Sequence, residues 1–287
     1  MSTPDEILIV GGDSFIGMSL AKSLEENNLS FNKTSRQSSQ DSWYLDLSVD
    51  SSIVALIAKV KEKQITHIVF LAGITSEKEC KNAPELAEKI NVTNTCRLLD
   101  AFNKLNIFIV FLSSSQVFNH QQPFIPWNES YSPTTLYGEH KVKVEQYIKA
   151  NISNASIVRL TKVIGHNFTL FEQIISKAEN KQEIELFGNY CAAPVSLVFV
   201  NHFLSSLLIM KSLGVFQLSG NEDLSYAEMA RQLLLRQFMP GKIKSVLAQS
   251  KGITPTPYGS LQMKSYDKFK ADNQSFSEVL DDYFSVT

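Results

Sequence analysis

Between Ile7 and Leu160, short apolar runs alternate with segments of helical periodicity, and this alternation restricts the fold more than any other feature of the chain. The expected strands are Ile7–Val10, Ser30–Thr34, Trp43–Leu45, His67–Leu71, Ile107–Leu112 and Ala155–Leu160. The expected helices between them are Phe15–Glu26, Ser51–Lys63, Pro84–Leu105 and Pro133–Ala150. Strands linked by helical crossovers pair in parallel, with right-handed connections and helices on both faces. The reading is an α/β fold, a doubly wound parallel sheet. Such sheets bind ligands at the carboxyl ends of their strands, near the point where strand order reverses. Beyond Gly165 the pattern loosens. Helical segments over 170–180, 201–213, 226–236 and 275–284 are interspersed with strand-like Glu183–Phe187 and Val215–Leu218.

The first strand runs into Gly11-Gly12-Asp13-Ser14-Phe15-Ile16-Gly17 and then into an amphipathic helix. A glycine turn between a strand and a helix lets the backbone approach a pyrophosphate, which rests on the helix N-terminus. The spacing is G-x-x-G-x-x-G with Ser14 in place of the middle glycine, which puts a Cβ where a phosphate comes close.

Tyr137 and Lys141 are one helical turn apart, so both project from the same face. Ser114 lies 23 positions before Tyr137, just past the apolar run Phe108–Leu112. A hydroxyl at a strand end can face a phenol and an ammonium on the following helix. An ammonium nearby favours the phenolate, so the tyrosine pKa is expected to fall toward working pH. That combination suits general acid/base transfer of a proton at an alcohol or sugar oxygen. His140, one step before Lys141, points to another face and reads as a surface or packing histidine.

These motifs resemble those of the extended short-chain dehydrogenase/reductases over nearly the whole chain. Val10–Gly17 resembles T-G-G-x-G-F-I-G. His67–Gly73 resembles the stretch that ends the family's strand beside the adenosine, and Asn91–Thr95 resembles N-V-x-G-T. Phe111–Phe118 resembles the catalytic strand S-[ST]-x-x-V-[FY], and Glu129, Pro133, Tyr137 and Lys141 match E-x-x-x-P-x-x-x-Y-x-x-x-K. Thr75–Pro84 and Gly214–Gly220 are similar to the dTDP-4-dehydrorhamnose reductase-like branch. Nucleotide-sugar 4,6-dehydratases carry T-D-E where this chain has Ser114-Ser115-Gln116, so the acid and base needed to eliminate water are missing.

The resemblance implies a Rossmann-type cofactor domain over 1–165 and a small C-terminal α/β substrate lobe over 166–287, with some exchange of chain between them. It places the catalytic roles on Ser114, Tyr137 and Lys141, with Ser113 and Ser115 as close alternatives to Ser114. It assigns cofactor contacts to Gly11, Asp13, Ser14, Phe15, Ile16 and Gly17, to Leu71, Ala72 and Gly73, to Asp46 and Leu47 near the adenine, and to Lys141 at the nicotinamide ribose. It assigns substrate contacts to Thr75, Ser115, Gln116, His166 and Asn167. At the end of the second strand, where NAD sites place an acid, the chain has Thr34-Ser35-Arg36, so NADP is favoured with NAD as the alternative. The implied activity is NADPH-dependent reduction of a nucleotide-linked 4-keto sugar. The alternatives are a nucleotide-sugar epimerase that holds its NAD(P), and a non-catalytic NADP-binding regulatory subunit. A homodimer through the 84–105 and 133–150 helices is a further implication.

Composition narrows the classes. With 27 basic against 29 acidic residues, the formal charge is −2, which carries no footprint for nucleic acid or membrane surface. Three dispersed cysteines fit neither a disulfide framework nor a zinc site. No run approaches the ~20 apolar residues of a membrane span. Asp5 and Glu6 precede the first strand without a basic or long apolar leader, so a signal peptide is not expected and the cytoplasm is the expected compartment.

Overall fold

A computed structural model describes residues 6–37, 39–263 and 273–285. The chain divides into two compact units. The first is built from 1–119, 130–159 and 201–216, and the second from 120–129, 160–200 and 217–287.

The first unit is organised by strands β1 (Ile7–Val10), β2 (Phe31–Ser35), β3 (Trp43–Tyr44), β4 (His67–Phe70), β5 (Phe108–Ser114) and β6 (Ala155–Leu160). With the strand Gly214–Leu218 they form a seven-stranded sheet in the order Gly214–Leu218, β6, β5, β4, β1, β2, β3. The pairs from β3 through β5 are parallel, with Ile7 opposite both Phe31 and His67, and His67 opposite Phe108. The chain leaves β1 in one direction through β2 and β3, and resumes on its other side through β4, β5 and β6. This is the reversal of strand order expected of a doubly wound sheet. All four residues of β1 and of β4 are buried, as required of strands covered on both faces.

Helices α1 (Phe15–Glu26), α2 (Asp50–Glu62), α3 (Glu77–Asn82), α4 (Pro84–Glu88), α5 (Thr95–Lys104) and α6 (Leu136–Asn151) accompany this sheet. Phe70, Phe102 and Phe111 are at most 1% exposed in a core shared with Leu98, Val144 and Ile148. Each such ring contributes about 1.5–3 kcal/mol of transfer free energy.

Two expected helices differ from the sequence reading. The single helix over Pro84–Leu105 is split into α4, a π segment over Lys89–Asn94, and α5. The wider turn carries two inward asparagines that satisfy loop backbone. Asn94 donates to the Leu47 carbonyl at 2.7 Å, and Asn91 bonds both the amide and the carbonyl of Ile74. Helix α6 begins at Leu136 rather than Pro133, because Thr135 takes the N-cap position and accepts from the Gly138 amide at 3.0 Å.

The second unit has its own core. Phe171 makes edge contacts with the rings of Phe168, Phe276 and Tyr283, at centroid distances of 5.3, 6.3 and 5.1 Å. Strand Glu183–Phe187 pairs in parallel with Lys242–Val246, and helix Tyr226–Arg236 starts on a capping box between Ser225 and Glu228. No helix among the described residues is long and apolar enough to cross a membrane.

Candidate active site

The neighbouring strands β1, β4 and β5 end at Val10, Phe70 and Ser114, so Gly11, Ala72 and Ser114 at or just past those ends bring the three sequence motifs to one edge of the sheet. Gly11 has φ +94°, and a Cβ there would stand 2.8 Å from the Ala72 nitrogen, so glycine is required on both counts. Thr34 at the end of β2 pins the turn, taking the Gly11 amide on its hydroxyl and the Gly12 amide on its carbonyl, both at 2.9 Å. Ser14 caps α1. Its hydroxyl donates to the Gly11 carbonyl at 2.8 Å and accepts the Gly17 amide at 3.1 Å. That amide is therefore spent inside the protein, which the sequence pattern does not reveal.

A cavity of about 300 Å³ opens beside this turn. Gly11, Asp13 and Ser14 form one wall, Arg36, Asp46 and Leu47 another, and Leu71, Ala72, Gly73 and Thr75 a third. Ten residues singled out from sequence thus share one concave surface. Phe15, Ile16 and Gly17 do not line it. Phe15 is 40% exposed, and Gly17 serves close packing, since a Cβ there would run into the Gly11 carbonyl. Asp46 has Oδ1 occupied by the Ser48 amide at 2.8 Å and hydroxyl at 2.6 Å. Those bonds, assisted by the Arg36 charge, hold its carboxyl below the usual range. Ser35 donates its hydroxyl to Asp13, so the exposed Arg36 is the cation this wall offers. The cavity also includes Thr34 and Ser35 of the Thr34-Ser35-Arg36 stretch, Glu79 of the Thr75–Pro84 stretch, and Leu45, Ile74 and Ile90, which the motifs did not mark.

The Ser114 side chain acts on the Tyr137 phenol in the direction that favours ionisation, and its hydroxyl accepts the Gln116 amide at 3.2 Å. The alternatives to Ser114 are otherwise engaged or enclosed: Ser113 donates to Glu145 at 2.5 Å, and Ser115 is buried. Lys141 donates a hydrogen bond to the Leu112 carbonyl at 2.7 Å, with its ammonium 4.5 Å from the Phe111 ring centroid and 5.7 Å from that of Tyr137. Burial pushes the Lys141 pKa down to about 8, against the pull of Glu145. The expected lowering of the Tyr137 pKa is not found. Burial dominates, with Cys80 adding to it, and raises the phenol well above its ordinary value against the opposing influence of Ser114. Tyr137 is accordingly a protonated phenol at neutral pH, equipped to give a proton rather than take one.

Glu77 was also missed. Its carboxylate accepts the Leu136 and Tyr137 amides at 3.3 and 3.2 Å, tying α3 to the first turn of α6. Against the cost of burial, these bonds and Lys81 keep its carboxyl below the usual range. The signal for α3 was present in Ser76-Glu77-Lys78-Glu79, a cap residue followed three positions later by a glutamate. Gln116 is half-buried, and its carbonyl lies against Gly138. His166 and Asn167 belong to the second unit and are exposed there.

Residues 5–263 match the model of the family described as the RmlD substrate binding domain. The chain belongs to this family. The spore coat polysaccharide biosynthesis protein SpsK of Bacillus subtilis (strain 168) is 24% identical over 221 residues, 75% of this chain and 77% of SpsK. Methionine adenosyltransferase 2 subunit beta of Xenopus tropicalis is 24% identical over 268 residues, 88% of this chain and 78% of the subunit. Among solved structures, dTDP-4-dehydrorhamnose reductase from Bacillus anthracis str. Ames, in complex with NADP, superposes with a TM-score of 0.88 at 20% identity, covering 99% of this chain and 100% of that one. The RmlD-family chain thus shares its Rossmann-type α/β fold with that reductase.

Proposed function

We propose that this protein reduces the keto group of a nucleotide-linked sugar, a 4-keto sugar foremost, with NADPH. The observation that carries this reading is the grouping of Ser114 and Lys141 around the Tyr137 phenol, which burial keeps protonated. The glycine turn, the cavity beside it and Arg36 fit a dinucleotide with a 2′-phosphate. Bound there, NADPH would supply the hydride. Tyr137 donates its proton to the carbonyl oxygen as negative charge develops on it. Ser114 holds that oxygen in line with the phenol. Lys141, fixed by the Leu112 carbonyl and charged below about pH 8, stabilises the phenolate that remains. The family match and the likeness to SpsK and to the reductase fold support this reading.

The test is NADPH consumption with a panel of nucleotide-linked 4-keto-6-deoxy sugars, for the protein and for Tyr137→Phe. The expected result is consumption that falls by roughly 10²-fold or more in the variant. Near-normal turnover in Tyr137→Phe would overturn the assignment.

A second reading has its own support in the match to methionine adenosyltransferase 2 subunit beta over 88% of the chain. In that reading the protein binds NADP and regulates a larger enzyme. Cofactor binding without consumption of any substrate, together with co-purification of a larger enzyme, would favour it.

A further inference from the structure

His140 lies inside the Y-x-x-x-K turn and is 1% exposed, so of the two expected readings it is a packed residue and not a surface one. Its Nδ1 is 3.3 Å from Asn91 Nδ2. The orientation of the Asn91 amide is set by the backbone it serves. The Ile74 N–H can only donate, so Oδ1 must face it, at 2.8 Å, and the Ile74 carbonyl can only accept, so Nδ2 must face it, at 2.9 Å. The remaining Nδ2 proton has two acceptors in reach, His140 Nδ1 at 3.3 Å and the weaker Cys80 Sγ at 3.9 Å, and the nearer and stronger of them is a bare, accepting Nδ1. The ring proton then sits on Nε2, which makes no hydrogen bond but lies 3.0 Å from Glu88 Oε2, an electrostatic contact. Gly73 completes the arrangement. It has φ +151°, and a Cβ there would stand 2.9 Å from Asn91 Oδ1.

Gly73, Ile74 and Thr75 are one wall of the cavity. We infer that His140 is a positioning residue for this cavity, holding the Gly73–Thr75 wall in place through the amide of Asn91. As a statement about cofactor binding, this rests on the reading of the cavity as the NADPH site. A proton on Nδ1 would set two donors against each other and work against the Asn91 orientation that serves Ile74. The charged groups acting on the ring are Glu88 from α4, Glu77 from α3, and Glu139 and Lys143 on α6 itself. Burial outweighs the carboxylates and holds the ring below the ordinary histidine value, in keeping with the neutral form.

The experiment uses the whole chain and measures hydrogen-exchange protection of the Ile74 amide, NADPH affinity by fluorescence titration, and turnover at saturating NADPH. In His140→Leu, Ile74 protection is expected to fall about 10-fold, the loss of one buried hydrogen bond. NADPH Kd should rise severalfold while kcat stays near its original value. In the unsubstituted protein, Ile74 protection should fall in step with protonation of the His140 ring, followed by its NMR shift; this arm needs no substitution to fold. Protection at Ile74 that is unchanged in His140→Leu, or that ignores the protonated ring, would overturn the inference whatever NADPH does. If NADPH fails to bind even the unsubstituted protein while Ile74 loses protection in the variant, the positioning role stands and the cofactor reading falls.

Discussion

Glu145 and Arg159 form an ion pair in which neither side chain is exposed. Arg159 NH2 lies 2.7 Å from Glu145 Oε2, and Nε lies 3.0 and 3.2 Å from the two oxygens. Ser113 donates to the same carboxylate at 2.5 Å and Tyr131 at 2.8 Å. The pair joins β6 to α6 one turn past Lys141, and through Ser113 it reaches the residue next to Ser114.

Removing one partner leaves a buried charge without its counterion. Arg159→Met is expected to cost about 3–5 kcal/mol of stability. Glu145→Gln combined with Arg159→Met should cost less than the sum of the two single changes. Urea unfolding of the three variants checks this; strictly additive losses would show that the pair is not a unit.

The pH dependence follows from Lys141, whose pKa burial lowers to about 8 from the ordinary lysine value. Below about pH 8, folded and unfolded chains both carry the proton, and burying the charge opposes folding. Above pH 8 the folded chain sheds it first, so this contribution to stability rises with pH up to the ordinary lysine range. Activity runs the other way, because the ammonium is lost. The kcat/KM profile is expected to fall above about pH 8, and in Lys141→Arg that fall should move out of the accessible range. An unchanged profile in the variant would assign the limb to another group.

Arg36 is the cation in the cavity wall beside Ser35, whose hydroxyl is committed to Asp13. Arg36→Gln is expected to raise the Kd for NADPH by about 10- to 100-fold, as for loss of a charge-assisted hydrogen bond, and to leave NADH nearly unaffected. Parallel fluorescence titrations decide it; equal losses for both cofactors would place Arg36 outside the 2′-phosphate contact.

Ser14→Gly is expected to separate capping from phosphate binding. The helix cap should lose only a few tenths of a kcal/mol. The Gly17 amide, now held by the Ser14 hydroxyl, becomes available at the helix N-terminus, and NADPH should bind severalfold tighter. Weaker binding in this variant would mean that the hydroxyl itself contacts the cofactor.

The sequence by itself determined the features whose physics is local. Apolar runs four to seven residues long bury as strands, a glycine turn between strand and helix admits a phosphate, and a four-residue spacing puts Tyr137 and Lys141 on one face. These rest on interactions within a turn or two of chain, so β1, α1 and the parallel sheet were legible. The alignment of Gly11, Ala72 and Ser114 followed from the strand ends.

Only the tertiary structure decided the relationships between residues distant in sequence. Glu77 caps a helix 59 positions away, His140 meets Asn91 across 49, and Asn91 holds Ile74 across 17. It also decided which serine faces Tyr137, because Glu145 claims Ser113. The direction of the Tyr137 shift shows the reason most plainly. A helical spacing indicates that an ammonium is near, but the protonation of a phenol depends on how much water the surrounding elements exclude. Here that desolvation outweighs the pull of the Ser114 side chain.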